Sequence, residues 1–151
     1  MQDANLAASE LFGEITNPYY GTGAGTLSFP AAFEWLDNMN ANNYLSVNTW
    51  RLPNMDRNSD TTVDLCSQGV ECPDNELGHM FYFNFNGKKD DNLTGNHDLF
   101  VNILERGYFS SSFANPSDTS LSHPNPSQLA VFTFNGGVFG LTTPLFNNSR
   151  H

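Results

Sequence analysis

The sequence is poor in basic residues and in charge of either sign. Six Lys and Arg stand against sixteen Asp and Glu, which gives a formal net charge of −10 at pH 7, and only 15% of the 151 residues are charged. A surface of this sign repels the phosphates of nucleic acids and the headgroups of anionic membranes. We therefore expect no nucleic-acid partner.

Long apolar runs are also missing. No stretch approaches the roughly 20 apolar residues of a membrane span, so we expect no membrane insertion. The beginning, MQDANLAAS, is polar from the second residue, unlike a signal peptide. If the protein is exported, we expect its signal to have been removed. The length suits a single domain over residues 1–151, and the 13% of aromatic residues predict a stable core.

Catalytic signatures are equally scarce. The glycines between residues 16 and 26 fit neither GxGxxG nor a Walker loop, which favours a flexible surface loop over a phosphate site. The serines from Ser110 to Ser112 lie in no GxSxG motif. Glu76 and His79 share a helix face, but no nucleophile or third orienting group accompanies them, so a surface pair is favoured over an acid–base pair. We predict that the protein is not an enzyme.

What the sequence does contain is a well-defined amphipathic helix. Ser28 is a suitable N-cap and Pro30 falls in the first turn, where a missing N–H costs little. The Asn-rich stretch after residue 39 favours a turn that ends the helix, and Pro53 makes the following WRLP extended. The apolar face is predicted from residues at helical spacing: Phe29, Ala32, Phe33, Leu36 and Met39, broadened by Trp35.

Further elements follow from periodicity and turn chemistry. Asn75 or Asp74 is expected to cap a second helix, NELGHMFYF, that turns Leu77, Met80 and Phe81 toward the core. Asn135-Gly136-Gly137 predicts a hairpin. Other predicted segments are a short helix capped by Asp3 and running to Leu11, a helical or extended piece over 99–104, and strands over 108–113, 128–135 and 138–141, with Ala130, Phe132 and Phe134 on one face.

Several of these segments carry a resemblance. The first helix, MNANNYL and WRLPN are similar to the core signature of the Lcl C-terminal-type domain, a C-type-lectin-like family frequent in exported bacterial proteins. QDANLAAS, the pair Cys66 and Cys72, NELGHMFY and VFTFNGGVFG extend the resemblance over nearly the whole chain. It implies an α+β, C-type-lectin-like fold: two helices packed on a small, twisted, mainly antiparallel sheet with long loops.

The resemblance also implies a function, because the studied members of the family bind or adhere. We expect a non-enzymatic, exported module at the bacterial cell surface for adhesion or for recognition of a glycan or other extracellular ligand. The twenty Asn residues agree with an exported surface protein. Long loops often build the ligand surface of lectin-like folds, so the candidate ligand-binding residues are Tyr19, Tyr20, Asn115, Asp118, His123 and Asn125.

The chain also departs from its resemblance. The EPN, QPD and WND motifs of calcium-bridged sugar binding are absent. The strands with which such domains usually open and close are not recognisable either, and an open sheet edge is a template for pairing with another chain. The alternative function is therefore a structural subunit that assembles with copies of itself into an extracellular polymer or fibre.

Residues 56–64 carry oxygen-bearing side chains at alternate positions, which raises the question of a metal site. These side chains follow the order of a calcium loop, but the sixth position holds Thr61 and the twelfth holds no Glu, so this is not an EF-hand. A solvated acidic loop is the main interpretation and a weak calcium site the alternative. DDNLTGNHD, from Asp90, shows the same weakness. The metal candidates are Asp56, Asn58, Asp60 and Asp64.

The chain has only two cysteines, Cys66 and Cys72, in CSQGVEC. In an exported protein this spacing can close a small disulfide loop, with Gly69 helping the turn. Two reduced thiols in a cytosolic protein are the alternative. Zinc is disfavoured, because only His79 stands nearby and there is no CxxC.

Overall fold

The structure, a computed structural model, describes residues 2–3, 29–59, 74–97, 100–104, 107–113 and 128–142. The chain separates into two compact units. One comprises Met1–Ala4 and Leu52–Thr143 and is called here the sheet unit. The other comprises Asn5–Arg51 and Pro144–His151 and is called the helix unit.

The helix unit contains α1, Phe29–Ala41, whose buried face is formed by Phe29, Ala32, Leu36 and Met39 as the spacing predicted. The prediction for Phe33 was wrong, since 44% of this residue is exposed. At 3.6 residues per turn Phe33 lies about 80° from the centre of the buried stripe. Its ring packs edge-on against Phe29 instead, with centroids 4.9 Å apart.

The Asn-rich end of α1 behaves as predicted. The backbone N–H of Asn43 donates to the backbone carbonyl of Asn40 at 3.1 Å, and the Asn43 backbone is left-handed, with φ 47°. A short 3₁₀ turn, Tyr44–Ser46, follows, and Val47 is extended. The WRLP stretch belongs to no strand.

In the sheet unit, α2 spans Glu76–His79 and continues directly as a π-helix, Met80–Asn84. The predicted cap is confirmed, because Asn75 Oδ1 accepts a hydrogen bond from Gly78 N at 2.9 Å. Leu77 and Phe81 are buried and Met80 packs against the core, also as predicted. The widening into a π-helix was not predicted.

Six strands are described: β1, Gln2–Asp3; β2, Gly95–His97; β3, Phe100–Ile103; β4, Gly107–Phe113; β5, Leu129–Thr133; and β6, Val138–Thr142. They form two three-stranded sheets, ordered β1-β3-β2 and β4-β5-β6. Only the β1–β3 pair is parallel among these strands. The α+β class with mainly antiparallel pairing is therefore confirmed, although the strands divide between two sheets where one was expected.

Local strand predictions can be compared one by one. The strand over 108–113 and the hairpin at Asn135-Gly136-Gly137 are confirmed, with positive φ at both glycines, 84° and 61°. The 99–104 stretch, predicted as helical or extended, contains strand β3. Asp3, expected to cap a helix, lies in β1 instead, and the rest of that predicted helix falls outside the described residues.

The core of the sheet unit is an aromatic cluster. The ring of Phe81 lies 5.7 Å from that of Phe132 and 5.8 Å from that of Phe134. The predicted buried face of Ala130, Phe132 and Phe134 is confirmed. The buried members of the cluster are Met55, Leu77, Phe81, Tyr82, Ile103, Ala130, Phe132 and Phe134. No helix in the described ranges has the length and apolarity needed to cross a bilayer.

Candidate functional site

A network of buried and half-buried polar groups, here called the polar junction, joins the segment after Pro53 to the start of α2 and to β4. Asn54 and Glu76 bond reciprocally: Asn54 N donates to Glu76 Oε2 at 2.9 Å, and Glu76 N donates to Asn54 O at 3.0 Å. The side-chain oxygen of Asn54 accepts from Ser112 Oγ at 2.7 Å and from Asp56 N at 2.9 Å. One Asn side chain thus ties together groups from distant parts of the sequence.

The serines of β4 complete this network. Ser112 Oγ accepts from Met55 N at 2.8 Å, and Ser110 Oγ donates to Ala130 O at 2.7 Å. Both serines are buried, and the register with β5 shifts between Phe109 and Phe113. The two serines are structural residues of the strand, because each hydroxyl satisfies backbone or side-chain groups that burial would otherwise leave unpaired.

The polar junction extends to the predicted metal segment through Asp74. The carbonyl of Asp74 accepts from Arg57 N at 3.1 Å, and its Oδ1 accepts from Asn58 N at 2.6 Å. Asp74 is 3% exposed, and its second oxygen, Oδ2, is buried without a hydrogen-bond partner among the described residues. The sequence suggested Asp74 only as an alternative helix cap, and nothing in the sequence signals its approach to residues 57 and 58.

Two of the four predicted metal residues, Asp56 and Asn58, lie in the segment that Asp74 contacts. Asp60 and Asp64 fall outside the described residues. Within the described part of the chain, no three His, Cys, Asp or Glu side chains lie close enough to hold a metal ion. The metal-binding segment predicted from the sequence therefore lies beside the buried carboxylate of Asp74, a residue that the prediction did not include.

The second acidic segment is paired with the end of the β5–β6 hairpin. Asn92 forms a β-bridge with Asn135, and Leu93 N donates to Phe134 O at 3.0 Å. Asp90 N donates to Gly136 O at 3.2 Å. The segment therefore runs alongside the β5–β6 hairpin turn, and its backbone pairs with that turn.

Glu76 and His79 take up separate contacts. The Glu76 carboxylate accepts from Asn54 N at 2.9 Å, while the His79 ring stacks on Phe83 at 5.0 Å with an angle of 17°. Both residues are half-buried rather than fully at the surface. Their described contacts are those of structural side chains.

A different kind of feature follows α1 in the helix unit. Residues 42–50 form a loop, called here the 42–50 loop, that is closed at its base by one side chain. Asn40 Oδ1 accepts from Trp50 N at 2.6 Å, and Asn40 Nδ2 donates to Trp50 O at 3.0 Å. Trp50 Nε1 in turn donates to Tyr44 O at 3.0 Å. The Asn40 side chain thus forms two hydrogen bonds with the Trp50 backbone, as the backbone of a neighbouring strand would.

The closed loop holds an unusual backbone. Asn43, Leu45 and Ser46 all have left-handed φ values, 47°, 52° and 64°. Asn adopts this region readily, but a Leu in it is strained by about 1–2 kcal/mol. Leu45 is also 60% exposed. The sequence predicted a turn here from its asparagines, but no pattern indicated that an apolar side chain would be held outward at its tip.

The remaining predicted site residues are not placed. Tyr19, Tyr20, Asn115, Asp118, His123 and Asn125 fall outside the described residues, as do Cys66 and Cys72. The ligand-binding and disulfide predictions for them stay predictions.

No protein-family model, no curated protein and no solved structure matches the chain. The resemblance to the Lcl C-terminal-type domain and its C-type-lectin-like fold therefore also stay predictions.

Proposed function

We propose that this protein is a non-enzymatic module for ligand recognition or adhesion, exported to the bacterial cell surface, and that the 42–50 loop is part of its binding surface. The observation that carries the proposal is the exposed, left-handed Leu45 at the tip of a loop closed by Asn40. Strained backbone persists only where surrounding contacts enforce it, and it clusters at ligand-binding sites.

The contacts of the loop favour recognition over a packing defect. The two Asn40–Trp50 hydrogen bonds and the Trp50–Tyr44 hydrogen bond fix the loop before any ligand arrives. A preformed surface loses less conformational entropy on binding than a flexible one. The strain at Leu45 is thus held in place by contacts that would also lower the cost of binding.

The chemistry of the loop suits a ligand with both apolar and hydroxyl-bearing faces. Leu45 and Val47 supply exposed apolar area, and Asn43 and Asn48 are exposed amides on the same loop. Sugars combine C–H faces with hydroxyl groups, so a glycan is the ligand class that we propose. The resemblance in the sequence implies adhesion or recognition of a glycan or other extracellular ligand, which includes this class.

The polar junction supports a role without catalysis. The Ser110 and Ser112 hydroxyls and the Glu76 carboxylate each bond to groups of the fold. A nucleophile needs an adjacent general base, whereas Ser112 Oγ donates to the amide oxygen of Asn54. These residues therefore hold the scaffold together in our proposal.

A glycan array tests the proposal directly. Labelled wild-type protein is expected to bind a defined group of glycans, and Leu45→Ser is expected to weaken that binding at least tenfold. Val138→Ser is the matched control, because Val138 is another exposed aliphatic residue, 52% exposed, outside the loop. Absence of glycan binding by the wild type, or equal affinity of Leu45→Ser, would contradict the proposal.

One observation favours the alternative, a self-assembling structural subunit. Among the described strands, β6 pairs only with β5, and its sequence VFGLT contains no charge and no proline. Such edges lack the usual protection against pairing with another chain. In that case light scattering would show a mass that rises with concentration, and Val138→Lys would return the protein to a monomer.

A further inference from the structure

We propose that the buried carboxylate of Asp74 binds a divalent cation of the hard, oxygen-preferring class, with calcium as its best representative, at the turn formed by residues 56–59. This site is independent of glycan recognition by the 42–50 loop. It also differs from the site predicted from the sequence, which did not include Asp74.

The first observation is an incomplete set of contacts around a buried charged group. Asp74 is 3% exposed, and Oδ2 has no hydrogen-bond partner in the described structure. Its other oxygen accepts one backbone N–H, from Asn58 at 2.6 Å. Burying a carboxylate costs several kcal/mol unless it is paired or coordinates a metal. A buried polar atom without a partner in a native structure points to an ion or water that completes it.

The second observation is where this carboxylate lies. Two backbone amides of the turn are held by Asp74, because Arg57 N donates to its carbonyl and Asn58 N to its Oδ1. The turn itself is tight: Ser59 N donates to Asp56 O at 3.3 Å, and Ser59 has φ 59°. The backbone of this turn, which carries Asp56 and Asn58, therefore lies within hydrogen-bond distance of the Asp74 carboxylate.

The donor chemistry selects among cations. Zinc sites require several His or Cys ligands, and neither residue type occurs in the turn 56–59 or at position 74. Calcium accepts carboxylate, amide, backbone carbonyl and water oxygens in flexible geometry. One buried carboxylate on a turn with Asp and Asn side chains fits this set better than the strict octahedron of magnesium. The net charge of −10 also favours cation binding.

The test compares melting temperatures of the full chain in millimolar calcium chloride and in EDTA. The wild type is expected to melt about 4 °C or more higher in calcium. Asp74→Asn keeps the size and the acceptor for Asn58 N but removes the charge, and is expected to lose this shift. Asp91→Asn is the matched control, because Asp91 Oδ2 likewise accepts a backbone N–H, from Lys88 at 2.7 Å.

Calorimetric titration with calcium supplies a second readout that does not depend on how well Asp74→Asn folds. The wild type is expected to bind one ion, and Asp56→Asn, which leaves the Asp74 hydrogen bonds in place, is expected to bind it about tenfold more weakly. A wild type that takes up no calcium, or an unchanged calcium shift in Asp74→Asn, overturns the inference. Neither result bears on glycan binding by the 42–50 loop, so the two proposals fail separately.

Discussion

The backbone of Gly137 lies directly against the ring of Phe81. A Cβ atom at position 137 would stand 2.9 Å from Phe81 Cδ1 and from Cζ, and closer still to Cε1. Gly137 also has φ +61°, and its carbonyl accepts a hydrogen bond from the Tyr82 hydroxyl at 2.9 Å. The turn of the β5–β6 hairpin is therefore part of the core, since it covers the fully buried ring of Phe81.

This contact predicts the effect of adding one methyl group. We expect Gly137→Ala to lower the free energy of unfolding by about 3 kcal/mol, because it combines overpacking of Phe81 with a left-handed φ. Gly140→Ala in β6 is the control, since its Cβ would meet Val131 Cγ2 at an ordinary 3.6 Å. Urea unfolding measures both. Equal stability of the two variants would mean that the hairpin turn does not pack on Phe81.

The polar junction predicts a contrast between neighbouring serines. Ser112→Ala leaves the buried Met55 N without its acceptor and removes one of the two donors to the half-buried Asn54 Oδ1. We expect a loss of about 1–3 kcal/mol in the free energy of unfolding. Ser111→Ala removes only an exposed hydroxyl that donates to Pro53 O at 3.2 Å, and is expected to cost less than about 0.5 kcal/mol. Similar urea midpoints for the two variants would contradict the structural role of Ser112.

Two tyrosines predict how stability depends on alkaline pH. Burial, followed by the negative charge of Asp90, raises the pKa of Tyr82 from its usual 10.0. Burial likewise raises the pKa of Tyr108, although the hydrogen bond with the Leu104 backbone lowers it in part. The folded state therefore binds these protons more tightly than the unfolded state. Its stability is unaffected below pH 10 and falls as the pH rises from about 10 through the folded-state pKa values.

The measurement is urea unfolding at a series of pH values from 8 upward. We expect Tyr82→Phe to lose about 1 kcal/mol at pH 8, through its hydrogen bond to Gly137 O, and then to decline less steeply than the wild type above pH 10. Tyr82→Phe combined with Tyr108→Phe should decline least. Profiles of equal slope would show that the two phenols do not titrate differently in the folded and unfolded states.

Sequence pattern was sufficient where a feature depends on neighbours along the chain. The buried stripe of α1, the Asn75 cap and the hairpin glycines each follow from local spacing or turn chemistry, and each is confirmed. Phe33 was misassigned because it lies at the flank of the stripe, where packing rather than periodicity decides burial. The π-helix after His79 departs from the 3.6-residue period on which helix prediction rests.

The candidate sites were harder to predict because they depend on contacts between distant segments. Ser112 meets Asn54 across 58 positions, and Asp74 meets Asn58 across 16, so no motif records either contact. Nothing in the sequence distinguishes Leu45 from other leucines. Its left-handed φ is seen only in the structure, where Asn40 closes the loop that contains it. Alternating acidic residues did draw attention to Asp56 and Asn58, but the buried carboxylate beside them was identified only in the structure.

The strained Leu45 predicts that stability and recognition are opposed in the 42–50 loop. Leu45→Gly removes the Cβ that makes φ 52° unfavourable, so we expect the free energy of unfolding to rise by about 1 kcal/mol. The same change removes the exposed apolar side chain and is expected to abolish glycan binding. A gain in stability with a loss of function is the signature of strain retained for binding.

Val47→Gly provides the matched control for this prediction. Val47 is also exposed and lies on the same loop, but its φ of −121° is an ordinary extended value. Glycine there relieves no strain and only adds freedom to the unfolded chain, so the free energy of unfolding should fall by about 0.5–1 kcal/mol. Thermal and urea unfolding distinguish the opposite signs. If both glycine variants lose stability, the left-handed Leu45 stores no strain, and the recognition role proposed for the loop loses its main support.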